Sequence, residues 1–416
     1  MAPPGSSPVS SKSNSVKEES VFSRDVCVIG GGGHVGLPLA LTFADTGLRT
    51  VIYDTNRDTV AKIRNGVMPF SEKGGREFLQ RALESRLLDV TVTPELISEC
   101  HFLVLIIGTP IDEHLKPSFT AMRRAVGSCS AHLRDGQILI LRSTIFPGTS
   151  KHIQEDLEAR GLDIAVAFCP ERVAQGNSLR EFRELPQIVS AFRPETLEAV
   201  RGLFGRFTPE FIEMTPMEAE LCKLMTNASR YIQFAIANQF YTIARDHGLD
   251  FDRILHGCRH NYPRMAGMPG PGLAAGPCLL KDTMQLAAFS QNSFLLGHSA
   301  MLVNEGLPGK LVDLAKREVD LSTKTTGILG MAFKAESDDP RDSLSYRLRN
   351  LLTLESRRVL CTDPYVPDPD LVPLEKVVAE GDVLFLATPH KVYRDLRVPE
   401  GKLLFDVWSW IPTASR

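Results

Sequence analysis

Residues 25–36 read DVCVIGGGGHVG, and residues 36–53 continue as GLPLALTFADTGLRTVIY up to Asp54. A short apolar run that stops on glycines and restarts as an apolar helical pattern leaves few folds open. Gly31, Gly33 and Gly36 give the spacing G-x-G-x-x-G where strand becomes helix, with His34 and Val35 completing the turn. Glycines there allow a tight turn, backbone approach to a pyrophosphate, and close helix–strand packing, with the helix N-terminus facing the phosphates. Asp54 follows the next apolar run, 18 residues past Gly36. A carboxylate at that place takes ribose hydroxyls and repels a 2′-phosphate, which favours NAD over NADP. The competing reading is a tight turn beside a solvent-facing aspartate. The strand, helix and aspartate together favour the dinucleotide.

The alternation continues. HFLVLIIGTP, QILILRST, DIAVAFCPE and QIVSAF are further short apolar runs between helical patterns. Continuous rather than alternating runs belong to parallel strands buried on both faces. Residues 24–208 are therefore expected to form a Rossmann-like NAD-binding domain. TPMEAELCKLMTNASRYIQFAIANQFYTIARDHG then breaks the rhythm. Thr215 suits an N-cap, Pro216 the first helical position, Glu218 completes a capping box, and Gly248 is a stop. A helix of about thirty residues runs ~45 Å, too long for a typical crossover. It reads as the spine of an all-α central segment, residues 209–320, and as a dimer surface. TTGILGMAF, RVLCTDPYV, DVLFLATPH and KLLFDVW restore the alternation over residues 321–416. The expected fold is α/β: two Rossmann-like parallel-sheet domains joined by a central all-α segment with a long spine helix.

Composition narrows the function. The chain has 416 residues, 43% hydrophobic and 23% charged, with a formal charge of -3. That balance is ordinary for a globular protein and offers no basic field for nucleic acid or anionic lipid. No apolar run approaches the ~18 residues of a membrane span. Residues 1–23 open with MAPPGSSPVSSKSNSVKEES, which lacks the apolar core of a secretory signal and reads as a disordered tail. Eight cysteines show no CxxC and no zinc-like spacing. No metal is expected, and reduced thiols point to the cytoplasm. Most of the eight, Cys27 and Cys361 among them, should be buried small hydrophobes.

Cys278 is different. Its segment, GPGLAAGPCLLKD at residues 270–282, fits neither helical nor strand periodicity. It lies just ahead of a helical pattern, so a thiolate there would gain from the helix dipole and from Lys281, lowering its pKa. Asp282 either caps that helix or serves as a base. A cysteine in a close-approach loop of an NAD enzyme suggests a thiohemiacetal and thioester route. Lys223 and Asn227, four apart on the spine, share one face, as a solvated stripe or as part of a site. Glu171 and Arg172 in CPER follow a strand-like run, where parallel sheets place their sites. The alternative for that pair is a surface ion pair.

In order, IGGGGHVGLPLA, IGTP, RSTIFPGT, CPERVAQG, ELCKLMTNASR, GPCLLKD, GMAFKAESDDPRDS and DPYV make the chain similar to the UDP-glucose/GDP-mannose dehydrogenase family of nucleotide-sugar 6-dehydrogenases. The resemblance runs from about Asp25 to Trp410. It implies two successive oxidations of a sugar C6 alcohol to the carboxylate with two NAD+. It implies that Cys278 is the nucleophile, that Lys223 and Asn227 stabilise an oxyanion, and that Asp282 assists proton transfer with a water. Glu171 becomes the acid–base residue of thioester hydrolysis, and Thr144 the active-site threonine. Cofactor contacts are implied for Gly31, Gly33, His34, Val35, Gly36, Asp54, Thr109, Thr144 and Lys281. Substrate contacts are implied for Glu171, Arg172, Lys223, Asn227, Lys334 and Arg341.

CPERVAQG and REFRELPQIV look more like the branch acting on UDP-N-acetylhexosamines, such as UDP-N-acetylmannosamine and UDP-N-acetylglucosamine, than the UDP-glucose branch. The expected reaction is UDP-N-acetylhexosamine to its uronate, in a cytoplasmic homodimer serving polysaccharide biosynthesis, with UDP-glucose 6-dehydrogenase as the alternative. A non-catalytic nucleotide-sugar-binding protein would need none of the thioester residues. A one-step hydroxy-acid dehydrogenase would rely on a histidine base and no cysteine. Three departures stand out: GLAAGPC where many members have glycine–aromatic–glycine, Gln239 where glutamate is common, and His34 for the usual tyrosine. Gln239 is expected to change packing only.

Overall fold

The computed structural model of the protein describes residues 21–109, 119–274 and 276–412; residues 1–20 of the segment read as a tail lie outside them. Strands β1 (Arg24–Ile29), β2 (Thr50–Tyr53), β3 (Leu88–Thr91), β4 (Cys100–Leu105), β5 (Ile138–Leu141) and β6 (Ala165–Phe168) form one sheet in the order β3-β2-β1-β4-β5-β6. Every pairing in it is parallel. This is the doubly wound dinucleotide-binding order, whose ligand crevice opens where the order reverses, between β1 and β4. Side chains alternate along a strand, and both faces of β1 are core. Val26 and Val28 pack with Leu39 and Phe43, whereas Cys27 and Ile29 pack with Leu103 and Leu139. β3 escapes a reading by apolar runs because its sequence, LDVT, is half polar. QIVSAF supplies β7 (Gln187–Val189), which pairs with β8 (Phe211–Glu213) in a separate two-stranded ribbon.

The spine helix, Pro216–Asp246, begins with the capping box of Thr215 and Glu218 and gives way to left-handed Gly248 at φ 66°. Helices Leu279–Phe289 and Leu295–Glu318 pack along it. The spine ties to the first sheet through Glu220, which is buried and accepts from Gly148 N at 2.5 Å, Ser150 N at 3.0 Å and Ser150 Oγ at 2.6 Å. At its other end, Tyr241 and Ala244 share one core with Leu307, Leu311, Ile328 and Phe385. Ile328 and Phe385 belong to a second parallel sheet, β9 (Thr325–Leu329), β10 (Arg358–Thr362), β11 (Val383–Leu386) and β12 (Leu403–Asp406), ordered β10-β9-β11-β12. The α/β architecture with two Rossmann-like sheets and a helical spine is thus present. Gln239 is exposed on the spine of the single chain.

Candidate active site

The turn after β1 uses its glycines in two ways. A Cβ on Gly30, which has φ 76°, would stand 2.1 Å from Ile106 O. One on Gly31 would stand 2.7 Å from Val28 O, and one on Gly36 2.7 Å from Gly31 Cα. Packing alone demands glycine at these three. Gly33 is exposed, and its Cβ would meet nothing nearer than Gly30 O at 3.9 Å. No packing contact among the described residues requires glycine there. Val35 occupies the N-cap position of helix Gly36–Asp45. Asp54 braces the turn, accepting from Gly32 N at 2.8 Å and Asn56 N at 2.9 Å. Gly32, which the motif spacing passes over, has no room for a side chain: a Cβ would meet Asp54 Oδ2 at 2.8 Å. An open backbone at Gly33, a helix N-terminus and a fixed carboxylate fit the pyrophosphate and ribose of NAD.

The loops after β4 and β5 lead from this turn to the cysteine. Ser143 Oγ accepts from Ile107 N at 2.7 Å and donates to Ile107 O at 2.8 Å. Thr109 Oγ1 donates to the Thr144 carbonyl at 2.7 Å and accepts from Lys281 Nζ at 3.0 Å. Thr109, Thr144 and Lys281 are therefore one connected group, joined to the first turn of helix Leu279–Phe289.

Cys278 sits at the N-cap position of that helix and is exposed. Its loop is pinned from both sides. Asn238, wholly buried in the spine, accepts from Gly272 N at 2.8 Å and donates to Gly272 O at 3.0 Å. Gly276 N donates to Asp342 O at 3.2 Å across to the carboxyl-terminal domain. Asp282 is not the helix cap. It lies fully buried in the first turn and accepts from Asn227 Nδ2 at 2.5 Å. Its Oδ1 has no hydrogen-bond donor among the described residues, and Lys281 Nζ stands 3.4 Å away. Lys223 is half-buried on the same face of the spine as Asn227.

The thiol departs from expectation. Desolvation, followed by the nearby Asp282 carboxylate, pushes the Cys278 pKa up, against the opposing pull of Lys281, Lys223 and Arg341. Solvent reaches the residue, but desolvation in the loop and the Asp282 carboxylate disfavour a thiolate more than the three cations favour it.

The remaining candidates have other partners. Glu171 pairs with Arg142, not with Arg172. Glu171 Oε2 lies 2.5 Å from Arg142 Nη2, and Oε1 accepts from Arg172 N at 2.6 Å and Val173 N at 2.9 Å. Arg142 is buried 4.7 Å from the Phe204 ring centroid and donates to Cys169 O at 3.0 Å and Gln187 Oε1 at 2.8 Å. Arg172 donates instead to Pro186 O. Among the described residues Glu171 thus bonds to its own loop and Arg142, with no hydrogen bond or ion pair to the Cys278 group. Arg142 and Ser143 went unnoticed in the sequence; an arginine ending the apolar run QILILRST was the available signal. Lys334 reaches from the carboxyl-terminal domain to Gln175 O, and burial lowers its pKa. Arg341 is exposed and held by Asp339 in a two-pronged contact at 2.8 and 2.6 Å, with Cys278 within its electrostatic reach. Among the described residues no group of three His, Cys, Asp or Glu could hold a metal.

A dinucleotide turn on one parallel sheet, a second parallel sheet opposite it and a cysteine loop between them define an NAD-linked dehydrogenase with two Rossmann-like domains. The UDP-glucose/GDP-mannose dehydrogenase family matches in three parts: its NAD binding domain over residues 24–208, its central domain over 217–305, and its UDP binding domain over 327–412. The chain belongs to this family of NAD-dependent oxidoreductases. Similar proteins include the UDP-N-acetyl-D-mannosamine dehydrogenases of Methanocaldococcus jannaschii, 28% identical over 91% of this chain and 88% of that one, and of Pyrococcus horikoshii, 29% identical over 88% and 90%. Among solved structures, the UDP-D-ManNAc dehydrogenase of Pyrococcus horikoshii superposes with TM-score 0.85 at 26% identity, covering 92% of this chain and 99% of that one. A UDP-glucose dehydrogenase from Pyrobaculum islandicum also gives TM-score 0.85 at 26% identity, covering 94% and 95%. Among the described residues no helix is long and apolar enough to cross a membrane.

Proposed function

We propose that the chain oxidises C6 of a UDP-N-acetylhexosamine to the carboxylate through a thioester on Cys278. The observation that carries this is the gathering of Cys278, Lys281, the Asn227–Asp282 pair and Lys223 at one loop between the two sheets. The acetamido sugar is favoured by the relatives named for UDP-N-acetyl-D-mannosamine. NAD+ bound at the Gly33 turn supplies the hydride acceptor for both oxidations. The Lys223 ammonium and the second N–H of Asn227 donate to the C6 oxygen as charge develops on it. Asp282 Oδ1, which has no hydrogen-bond donor among the described residues, accepts from a water that takes the hydroxyl proton. Cys278 Sγ adds to the C6 aldehyde, and its proton passes to the C6 oxygen. Loss of a hydride from C6 and of the C6 hydroxyl proton to the same water then leaves the thioester. Water then attacks C6, the S–C6 bond breaks, and the thiol takes back a proton. The acid–base part that resemblance gives Glu171 requires its carboxylate to leave Arg142. At rest it fixes the Arg172–Val173 loop instead.

A panel of UDP-sugars with NAD+, read by NADH absorbance and product mass, tests this. The expected result is two NADH per sugar, fastest with an acetamido sugar. UDP-glucose as the fastest substrate would move the assignment to the other branch, which the Pyrobaculum structure supports equally in shape. One NADH per sugar would sink the thioester route, and none would leave a nucleotide-sugar-binding protein.

The same reading takes residues 24–208, 209–320 and 321–416 as NAD, dimerisation and UDP-sugar units of a cytoplasmic enzyme. The eight free cysteines fit a reducing compartment. Met225, Ile236, Phe240 and Ile243 leave an exposed apolar stripe on the spine, which we assign to a homodimer. Light scattering should give twice the chain mass; a stable monomer at micromolar concentration contradicts the assignment.

A further inference from the structure

His34 stands in the dinucleotide turn yet faces the other domain. Its ring stacks on Phe70, with centroids 4.2 Å apart and planes 20° apart, and its Nε2 lies 3.9 Å from Asp338 Oδ1. Asp338 belongs to the carboxyl-terminal loop that also carries Lys334 and Arg341, and its Oδ2 accepts from Ser71 N at 3.1 Å. A second contact crosses the cleft nearby, from Lys334 Nζ to Gln175 O. The two crossings share a support. Glu72, beside Ser71, accepts from Gly176 N at 2.8 Å and Leu179 N at 3.2 Å and so fixes the Gln175 loop.

We propose that His34 is a positioning residue that couples cofactor binding to closure of the nucleotide-sugar domain. As imidazolium it draws Asp338, and with it the Lys334–Arg341 loop, onto the turn that receives the pyrophosphate. The proposal rests on the nucleotide-sugar reading above. A pyrophosphate at the turn is an anion beside the ring and favours the imidazolium, the form that Asp338 holds. Cofactor therefore strengthens the cross-domain contact, and by reciprocity a ligand that closes the domain strengthens cofactor binding.

The charges around the ring agree with this. The turn, residues 30–35, contains no charged residue. On the loop of Phe70, Glu72 is turned to the Gly176 segment and Lys73 Nζ donates to Asn177 Oδ1 at 2.9 Å. Asp339 acts on His34 from the opposite domain and is itself paired with Arg341. Contact with His34 holds Asp338 below the usual carboxylate range, so the pair outlasts mild acid. Deprotonating the imidazole removes the cation and the coupling with it.

Calorimetry of UDP binding to the full chain, with and without saturating NAD+, at pH 6 and pH 8.5, tests the coupling. NAD+ should tighten UDP about two- to fivefold at pH 6, the scale of a partly exposed ion pair, and leave it unchanged at pH 8.5. His34→Gln and Asp338→Asn should each abolish the coupling at pH 6, and the double variant should add nothing. Buffers of differing ionisation enthalpy should also show proton uptake when NAD+ binds, absent in His34→Gln. Coupling that is independent of pH, or that survives in a His34→Gln protein of native Tm, overturns the proposal. Failure of UDP to bind at all would instead defeat the nucleotide-sugar reading. Proton uptake on NAD+ binding needs no UDP, and its absence in the unaltered chain overturns the role of His34.

Discussion

Two glycine-rich segments, residues 30–36 and 270–278, lie on either side of the site and use glycine for opposite ends. In the first, packing fills every gap except the one at Gly33, which stays open for a ligand. In the second, Gly270 is open, and the gaps at Gly272 and Gly276 are filled by the other domain. A Cβ on Gly272 would stand 2.2 Å from the Trp408 ring, and one on Gly276 2.5 Å from that of Phe333. One segment makes room for a cofactor, the other for a domain. In the loop GLAAGPC, Gly272 thus lies against Trp408 and Gly276 against Phe333. Glycine content alone therefore says nothing about which kind of visitor a loop accepts; the neighbours decide.

The largest effect should fall on Cys278, which ends the second segment. Cys278→Ser should retain NAD+ and UDP-sugar binding but lose at least ~10³-fold in turnover, the scale of removing a catalytic nucleophile. A trapped acyl-enzyme, seen as a mass gain of one oxidised substrate, would be a further sign. Two NADH per sugar at near wild-type rate would reduce the cysteine to part of the hinge between domains.

The comparison itself is tested by paired substitutions. Gly276→Ala places a methyl against Phe333 at a left-handed φ of 105°, so overpacking alone should cost about 1–3 kcal/mol and lower Tm. Its NAD+ affinity should not move. Gly33→Ala should leave stability within about 0.5 kcal/mol of the parent, since no protein atom crowds the new methyl. NAD+ affinity should fall at least about tenfold, because the backbone can no longer meet the pyrophosphate. The reverse pattern would mean that the two loops had been read the wrong way round.

How much was legible in the chain follows the same division. The turn, its helix and the spine's capping box are local, written within a few residues of Gly31 and Thr215, and they fold where periodicity puts them. The cysteine loop has no periodicity because its shape is set by Asn238, Phe333 and Trp408, far away in sequence. Distance also hid the partner of Glu171, since nothing near CPER announces Arg142. The same cause reversed the expectation for the thiol. Lys281 is visible in sequence, whereas the burial that outweighs its pull is made by the folded chain.

That reversal gives a graded test. With its pKa raised, Cys278 is chiefly a thiol near neutrality, and its thiolate fraction grows about tenfold per pH unit below the pKa. Both kcat/KM and alkylation of Cys278 by iodoacetamide, mapped by peptide mass, should climb from pH 7 to pH 9. A plateau already reached at pH 7 would restore the dipole-and-lysine picture and place the cysteine in a less crowded loop.

The smallest effect belongs to Asp54, where the first segment's two duties meet. One oxygen accepts from Gly32 N, which shapes the turn, and the other from Asn56 N. Its charge is the part left over for choosing the cofactor. Asp54→Asn keeps the size and one acceptor oxygen but removes the charge, so discrimination against NADP+ should relax about tenfold, the order of one partly screened charge pair. Asp54→Ala removes the brace as well, and should weaken NAD+ in addition to relaxing the choice. Isothermal titration with both cofactors separates the two duties. Equal NAD+ and NADP+ affinities in all three proteins would leave Asp54 with only the turn to hold, and the ribose would have to be recognised elsewhere.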